Sequence, residues 1–467
     1  MSNFSNEEII ELIKHNRIDR AKAFIHQLEQ SNGTTSEIYL LHALLNIKIE
    51  NYENAWLWLW RGLDEFPQHP QINLLMADIC KLRNQLKESD YYLQRAITFN
   101  IDAEYTQKIA SNTETLRNAL TGSQKNEPLR ILQGTIEIAN QMNTLSSALA
   151  KQSIFSKTLN YYPYYLNYSS DYTWSMLKER NSPDLNKKLR RLAERFLSEY
   201  HLFHFHFGTT FTLDYSDLPI FDQWKKPLIM QHWGSDIRLQ SKASAMNPYA
   251  LVKNKNEDQI KYSLSILSKH IKNCIVSDME LYQYVHDFYE HTHIIPALIN
   301  TEIYTPQKNH DKNPRPLIVH APTSPHIKGT AYIMKAIEDL QPTYHFDFQL
   351  VQGKSHSEAV AMYQKADIII DQLHIGSYGL LAVESMAIGK TVICYISDFM
   401  KDHYPKELPI ISANPDTIKM VLEKLLNNQD QLPEVGIAGR NYIEQHHDMV
   451  KNSQKVLELY QTFFKNK

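Results

Sequence analysis

Three stretches in the first quarter of the chain recur at one interval. RIDRAKAFIHQL, NYENAWLWLWRGL and QLKESDYYLQRAI place Ile18, Tyr52 and Leu86 in register, 34 residues apart. A unit of that length cannot bury its own apolar face, so each copy must pack on the next, and stacked helical hairpins follow over about residues 4–100. The middle copy shows the logic best. Small Ala55 and Gly62 stand where its helices must cross closely, and Pro67 stops the second helix. Trp56 and Trp60 lie one helical turn apart. With Trp58 between them, they are expected to fill the core between repeats rather than to present a binding face.

After the charged stretch TGSQKNEP (121–128) the pattern changes to short β-rich runs alternating with helical stretches. One series of strands is read at 129–133, 202–207, 227–231 and 273–277. A second, beyond IIPALINTEIYTP, is read at 316–320, 346–351, 366–371 and 391–396. The expected fold class is α/β: two doubly wound Rossmann-like domains preceded by an all-α helical repeat domain. The boundaries read as 1–121 for the repeats, 122–300 for the first α/β domain and 301–448 for the second. A terminal helix over 449–467 is expected to cross back to the first α/β domain. At 467 residues the chain exceeds what one core supports, and with no Gly/Ser or Pro tract it should be folded throughout.

Charge and cysteine content exclude several classes. A net charge of -3 offers nucleic acid no general attraction. The opening MSNFSNEEIIELIKHNR lacks a signal-peptide layout and no apolar run reaches membrane-span length, so a cytoplasmic protein is expected. Cys80, Cys274 and Cys394 show no metal or disulfide spacing and read as small buried hydrophobes. His204 and His206 alternate on one strand without an acidic or cysteine partner at metal spacing. The basic run KKLRR (187–191) reads as a solvated helix face, with contact to a membrane surface as the alternative.

In doubly wound sheets, ligands bind where loops leave the carboxyl ends of the strands. Three loops stand out. The first, GTIEIANQM, has Gly134 for close backbone approach and Asn140 as a helix cap. The second, HAPTSPHIKGT, puts Lys328 and Gly329 before a helix. In the third, Gly376 and Gly379 free the backbone N–H groups that start a helix at Leu380, a setting that suits a diphosphate. That helix carries one carboxylate, Glu384.

These motifs resemble a known group. ADIIIDQLHIGSYGLLAVESMAIGKTVICYI resembles the donor-binding segment of retaining GT-B glycosyltransferases of family 4, and HAPTSPHIKGT resembles their basic Lys-Gly loop. HFHFG and PLIMQHWGSDIR resemble the acceptor-side strands, so the likeness covers about residues 128–467; residues 4–100 resemble tetratricopeptide repeats. Carried over, Glu384 would hold the ribose hydroxyls of a sugar nucleotide, and Lys328 with Gly329 would neutralise its diphosphate. Gly379 and Leu380 would offer backbone N–H groups beside Ser377 and Tyr378, while His232 and Asp236 would stand near the reacting carbon. Departures are equally definite. Gly376 replaces the glutamate that contacts the donor sugar, leaving His374 or Asp371 to stand in for it. The usual arginine is missing near Thr323, with Arg238 as a substitute from the other domain.

The resemblance implies transfer of a sugar from a nucleotide-diphosphate donor to a hydroxyl acceptor with retention of configuration, in bacterial surface glycan or glycoconjugate synthesis. The nucleotide sugar is a substrate, no cofactor or metal is required, and the acceptor is a glycan, a lipid-linked or a protein hydroxyl. The repeats would take a protein partner, and peripheral membrane contact stays open. The alternative is a catalytically impaired binding or chaperone subunit working through its repeats. An epimerase on the same fold lacks the paired carboxylates it would need.

Overall fold

The computed structural model describes residues 5–99, 129–163, 168–306 and 315–464. The chain divides into two compact units, Met1–Glu127 with Asp171–Thr173, and Pro128–Ser170 with Trp174–Lys467. The stretch 121–128, read from sequence as the boundary, lies outside the described residues.

The first unit contains α1 (Asn6–Lys14), α2 (Ile18–Asn32), α3 (Ser36–Lys48), α4 (Tyr52–Glu65), α5 (Pro70–Leu82) and α6 (Leu86–Phe99). Ile18, Tyr52 and Leu86 each open the second helix of a pair, which is what puts them in register. Where α4 crosses α3, a Cβ on Gly62 would lie 3.0 Å from Tyr39 Cβ, so a larger residue would push the pair apart. Trp56 is fully buried, whereas Trp58 is partly exposed and stacks on His42 with centroids 3.8 Å apart. Tyr172 belongs to this unit, its hydroxyl accepting a hydrogen bond from Arg83 at 2.7 Å.

The second unit holds two parallel sheets. The strands are β1 (Arg130–Thr135), β2 (Phe155–Asn160), β3 (Tyr172–Thr173, grouped with the helical unit), β4 (Leu202–His206), β5 (Leu228–Gln231), β6 (Asn273–Val276), β7 (His291–Ile294), β8 (Leu317–His320), β9 (Asp347–Leu350), β10 (Ile368–Ile370) and β11 (Thr391–Ile393). Within this unit the first sheet runs β2-β1-β4-β5-β6-β7 and the second β11-β10-β8-β9. All pairs are parallel, as crossover helices require. The architecture is therefore two doubly wound Rossmann-like sheets preceded by helices.

Two local readings change. Asn140 occupies the start of helix Gln141–Lys151 but makes no side-chain cap; Glu137 does so instead, accepting from the N–H groups of Met142 (3.0 Å) and Asn143 (3.1 Å). Gly134 lies inside β1, opposite Leu159 of β2 and Phe205 of β4, rather than in the loop that follows. The last helix, Met449–Thr462, is capped by Asp448 and packs Met449, Val456, Leu457 and Tyr460 into the core beneath the first sheet with Ile131, Leu202 and Ile229. Among the described residues no helix is long and apolar enough to cross a membrane.

Candidate functional site

Strand order reverses between β1 and β4 in the first sheet and between β8 and β10 in the second, and loops leaving opposite ways at such points open a crevice. Residues after both sets of strands line one cleft. Trp233 and Arg238 follow β5, Asp278 follows β6, Lys328 follows β8, and Ser377 to Leu380 follow β10.

Lys328 ends a four-residue helix begun by Pro325, and Gly329, at φ +77°, turns the chain into helix Thr330–Leu340. Its Nζ donates to Asp371 Oδ1 (2.7 Å) and Gln372 Oε1 (2.8 Å). Asp371 is fully buried at the end of β10, and its Oδ2 accepts from the Gly379 N–H at 2.7 Å. One carboxylate thus holds the lysine and the first N–H that sequence assigns to an anionic ligand. A Cβ on Gly379 would lie 3.0 Å from Asp371 Oδ2 and 3.3 Å from Lys328 Nζ, so glycine allows this close approach. Leu380 opens the helix behind it, where N–H groups have no acceptor within the helix.

Gly376 explains itself sterically. Its φ is +83°, and a Cβ would lie 2.8 Å from Asn247 Nδ2 and 2.9 Å from Ser397 Cβ. No acid side chain fits there. Neighbouring His374 is largely buried, with Nδ1 hydrogen-bonded to the Tyr249 carbonyl at 2.9 Å, while Ser377 lines the cleft. The hydroxyl of Tyr378 bonds His447 Nε2 at 2.9 Å.

Three cations, Arg238, Lys253 and Lys328, line the cleft, and two of them are paired with carboxylates. Arg238 is bound by Glu280 in a forked pair (2.9 and 2.8 Å), so it is a fixed interior pair rather than a surface salt bridge. Lys253, in the segment NPYALVKNKN ahead of helix Glu257–His270, carries no periodic signal in the sequence. Among the described residues it has no ion pair or hydrogen bond. Burial of its ammonium, then the charges of Lys328 and Arg238, lower its pKa. By surface area Lys253 is exposed to solvent, and no carboxylate among the described residues competes for it, so an anion entering the cleft can pair with it. Asp278, equally unmarked in the sequence, is raised to about 6 by burial and then by neighbouring Glu280.

The remaining candidates lie elsewhere. His232 is fully buried, with Nδ1 on Asp236 Oδ2 (2.7 Å) and Nε2 on Tyr289 Oη (2.9 Å), and both ring nitrogens are occupied. Asp236 also accepts from the N–H groups of Trp233 and Gly234. This pair borders a separate, smaller recess with Gly208 and Tyr215. Glu384 lies four residues into the same helix as Leu380, its Oε1 hydrogen-bonded to Tyr304 Oη (3.0 Å) and His356 Nε2 (2.8 Å).

The fold and the cleft together define the GT-B architecture. No protein-family model matches the chain, and no curated protein matches it in sequence. Among solved structures, a glycosyltransferase from Rickettsia africae is similar over 73% of this chain and 100% of its own, at 13% identity and a TM-score of 0.53. A sucrose-phosphate synthase from Thermosynechococcus elongatus is similar over 73% and 100%, at 12% identity and a TM-score of 0.50. At such identity the likeness shows the fold.

Proposed function

We propose that this chain transfers a sugar from a nucleotide-diphosphate donor to a hydroxyl acceptor within the cleft between its two sheets. The observation that carries this reading is Lys253, an unpaired cation facing Lys328 and Arg238 beside the start of helix Leu380–Ala387. A diphosphate has the charge and the acceptor oxygens for that setting. In the reaction, the bond between the sugar carbon and the phosphate oxygen breaks with its electron pair passing to the diphosphate. The acceptor oxygen bonds to that carbon, and its proton goes to a phosphate oxygen. Lys328 and Lys253 bear the growing charge, so the reading assigns no role to a metal or cofactor. Retention of configuration and a place in surface glycan synthesis rest on the family 4 resemblance of residues 366–396 alone. His232 and Asp236 are proposed as groups that shape the acceptor side rather than as reacting groups, because both ring nitrogens of His232 are engaged.

A second reading has its own observation. The closed space at Gly376 removes the family's donor-sugar acid, which favours a binding subunit that holds a nucleotide sugar without turning it over. Incubation with a panel of nucleotide sugars separates the two. Release of nucleoside diphosphate, abolished in Lys328→Ala, supports the transferase; tight binding without release supports the binding subunit. Absence of binding across the panel contradicts both.

A further inference from the structure

Glu384 is held from two directions. Tyr304 Oη donates to its Oε1 at 3.0 Å and His356 Nε2 at 2.8 Å, and the two donors are themselves 3.2 Å apart. They come from unrelated places: Tyr304 from the segment between the sheets, His356 from the first turn of helix His356–Tyr363 after β9. All of this clusters on one oxygen. Among the described residues Oε2 receives no hydrogen bond, although the side chain is only 12% exposed. Oε2 is not sealed inside the protein, so it is open to a donor from outside it. The pair with His356 is also electrically coherent. Burial of the imidazole opposes its charge, but the hydrogen bond and charge of Glu384 outweigh that and raise the His356 pKa. The ring of Tyr168 packs at 5.1 Å from that of His356 and limits its rotation.

We propose that His356 and Tyr304 are positioning residues that pin one oxygen of Glu384 and thereby present the other to a ribose hydroxyl of the donor. This rests on the reading of the cleft as a nucleotide-sugar site. The two residues act through Glu384 and need not touch the ligand. Nothing in the sequence motifs marks them, because their chain positions lie far from Glu384.

The test is titration of UDP, ADP and GDP into the full-length protein and its variants. Using whichever diphosphate binds the wild type most tightly, His356→Phe and Tyr304→Phe should weaken binding about tenfold, the loss expected of one charge-assisted hydrogen bond. His356→Gln keeps an N–H donor and should bind within about threefold of wild type, by the same arithmetic. A His356→Phe variant that binds like wild type overturns the proposal. A Gln variant as weak as the Phe variant does so too, since the ring rather than its hydrogen bond would then matter. Failure of the site reading looks different: Glu384→Ala would bind normally, or no diphosphate would bind the wild type, and either result overturns both. Loss of binding in Glu384→Ala with normal binding in the His356→Phe and Tyr304→Phe variants removes only this inference.

Discussion

Lys253 and Arg238 line the same cleft with the same charge, yet their environments set opposite roles. Arg238 is committed to Glu280, so Arg238→Ala leaves a buried carboxylate unpaired and should cost about 3–5 kcal/mol of stability, seen as a large drop in melting temperature. Lys253→Ala removes a cation that pairs with nothing in the described protein. It should leave the melting temperature unchanged while weakening nucleoside diphosphate binding by about 1.5–3 kcal/mol. Equal stability losses in the two variants would contradict this division. Gly376 yields a third expectation. Gly376→Glu should destabilise by roughly 2–5 kcal/mol, because the backbone is left-handed and Asn247 and Ser397 occupy the space. Chemical denaturation of the variant measures it.

Strand β4 carries a cost that its sequence conceals. His204 and His206 are fully buried and stacked with centroids 4.4 Å apart. Burial lowers the His204 pKa to about 3, and burial with the adjacent His204 holds that of His206 well below normal. Both stay neutral in the folded state while the unfolded chain takes up protons near pH 6.5. Stability should therefore fall as pH drops below about 6.5, by about 1.4 kcal/mol per pH unit for each imidazole. His320 and His447, each lowered to about 4 by burial, act in the same direction, while Glu137, raised to about 7, and Asp278, raised to about 6, pull the other way as pH falls. Urea unfolding of wild type and His204→Gln from pH 7 to 5 checks this; identical slopes would refute it. The strands themselves were largely legible. β8, β10 and β11 are rich in Ile and Val and bounded by turn residues, whereas β2 (FSKTLN) and β7 (HTHI) are mixed in composition and β7 lies at a sheet edge, so neither carries a clear strand signal. In the site, glycine punctuation exposed Lys328 and Gly379. Lys253, Asp278, His356 and Tyr304 stayed hidden, since only the chain topology gathers them.

Residues lining the cleft all belong to the α/β unit, while the helices bury a core of their own around Ile9, Ile25, Leu41 and Leu45. A chain of residues 129–467 should keep the donor affinity of the full protein and lose only what the repeats add toward a macromolecular acceptor. A folded truncation that no longer binds donor would show that the helices belong to the binding unit. Lys253 and Lys328 are proposed to hold a nucleotide diphosphate in the cleft, with Arg238 kept by Glu280 beside them. Isothermal titration of nucleoside diphosphates into the wild-type protein, Lys253→Ala and Lys328→Ala tests it most directly. The wild type should bind measurably, and each variant should bind at least about tenfold more weakly, as expected for lost charge-assisted contacts. Binding of equal strength in all three, or none in the wild type, would contradict it.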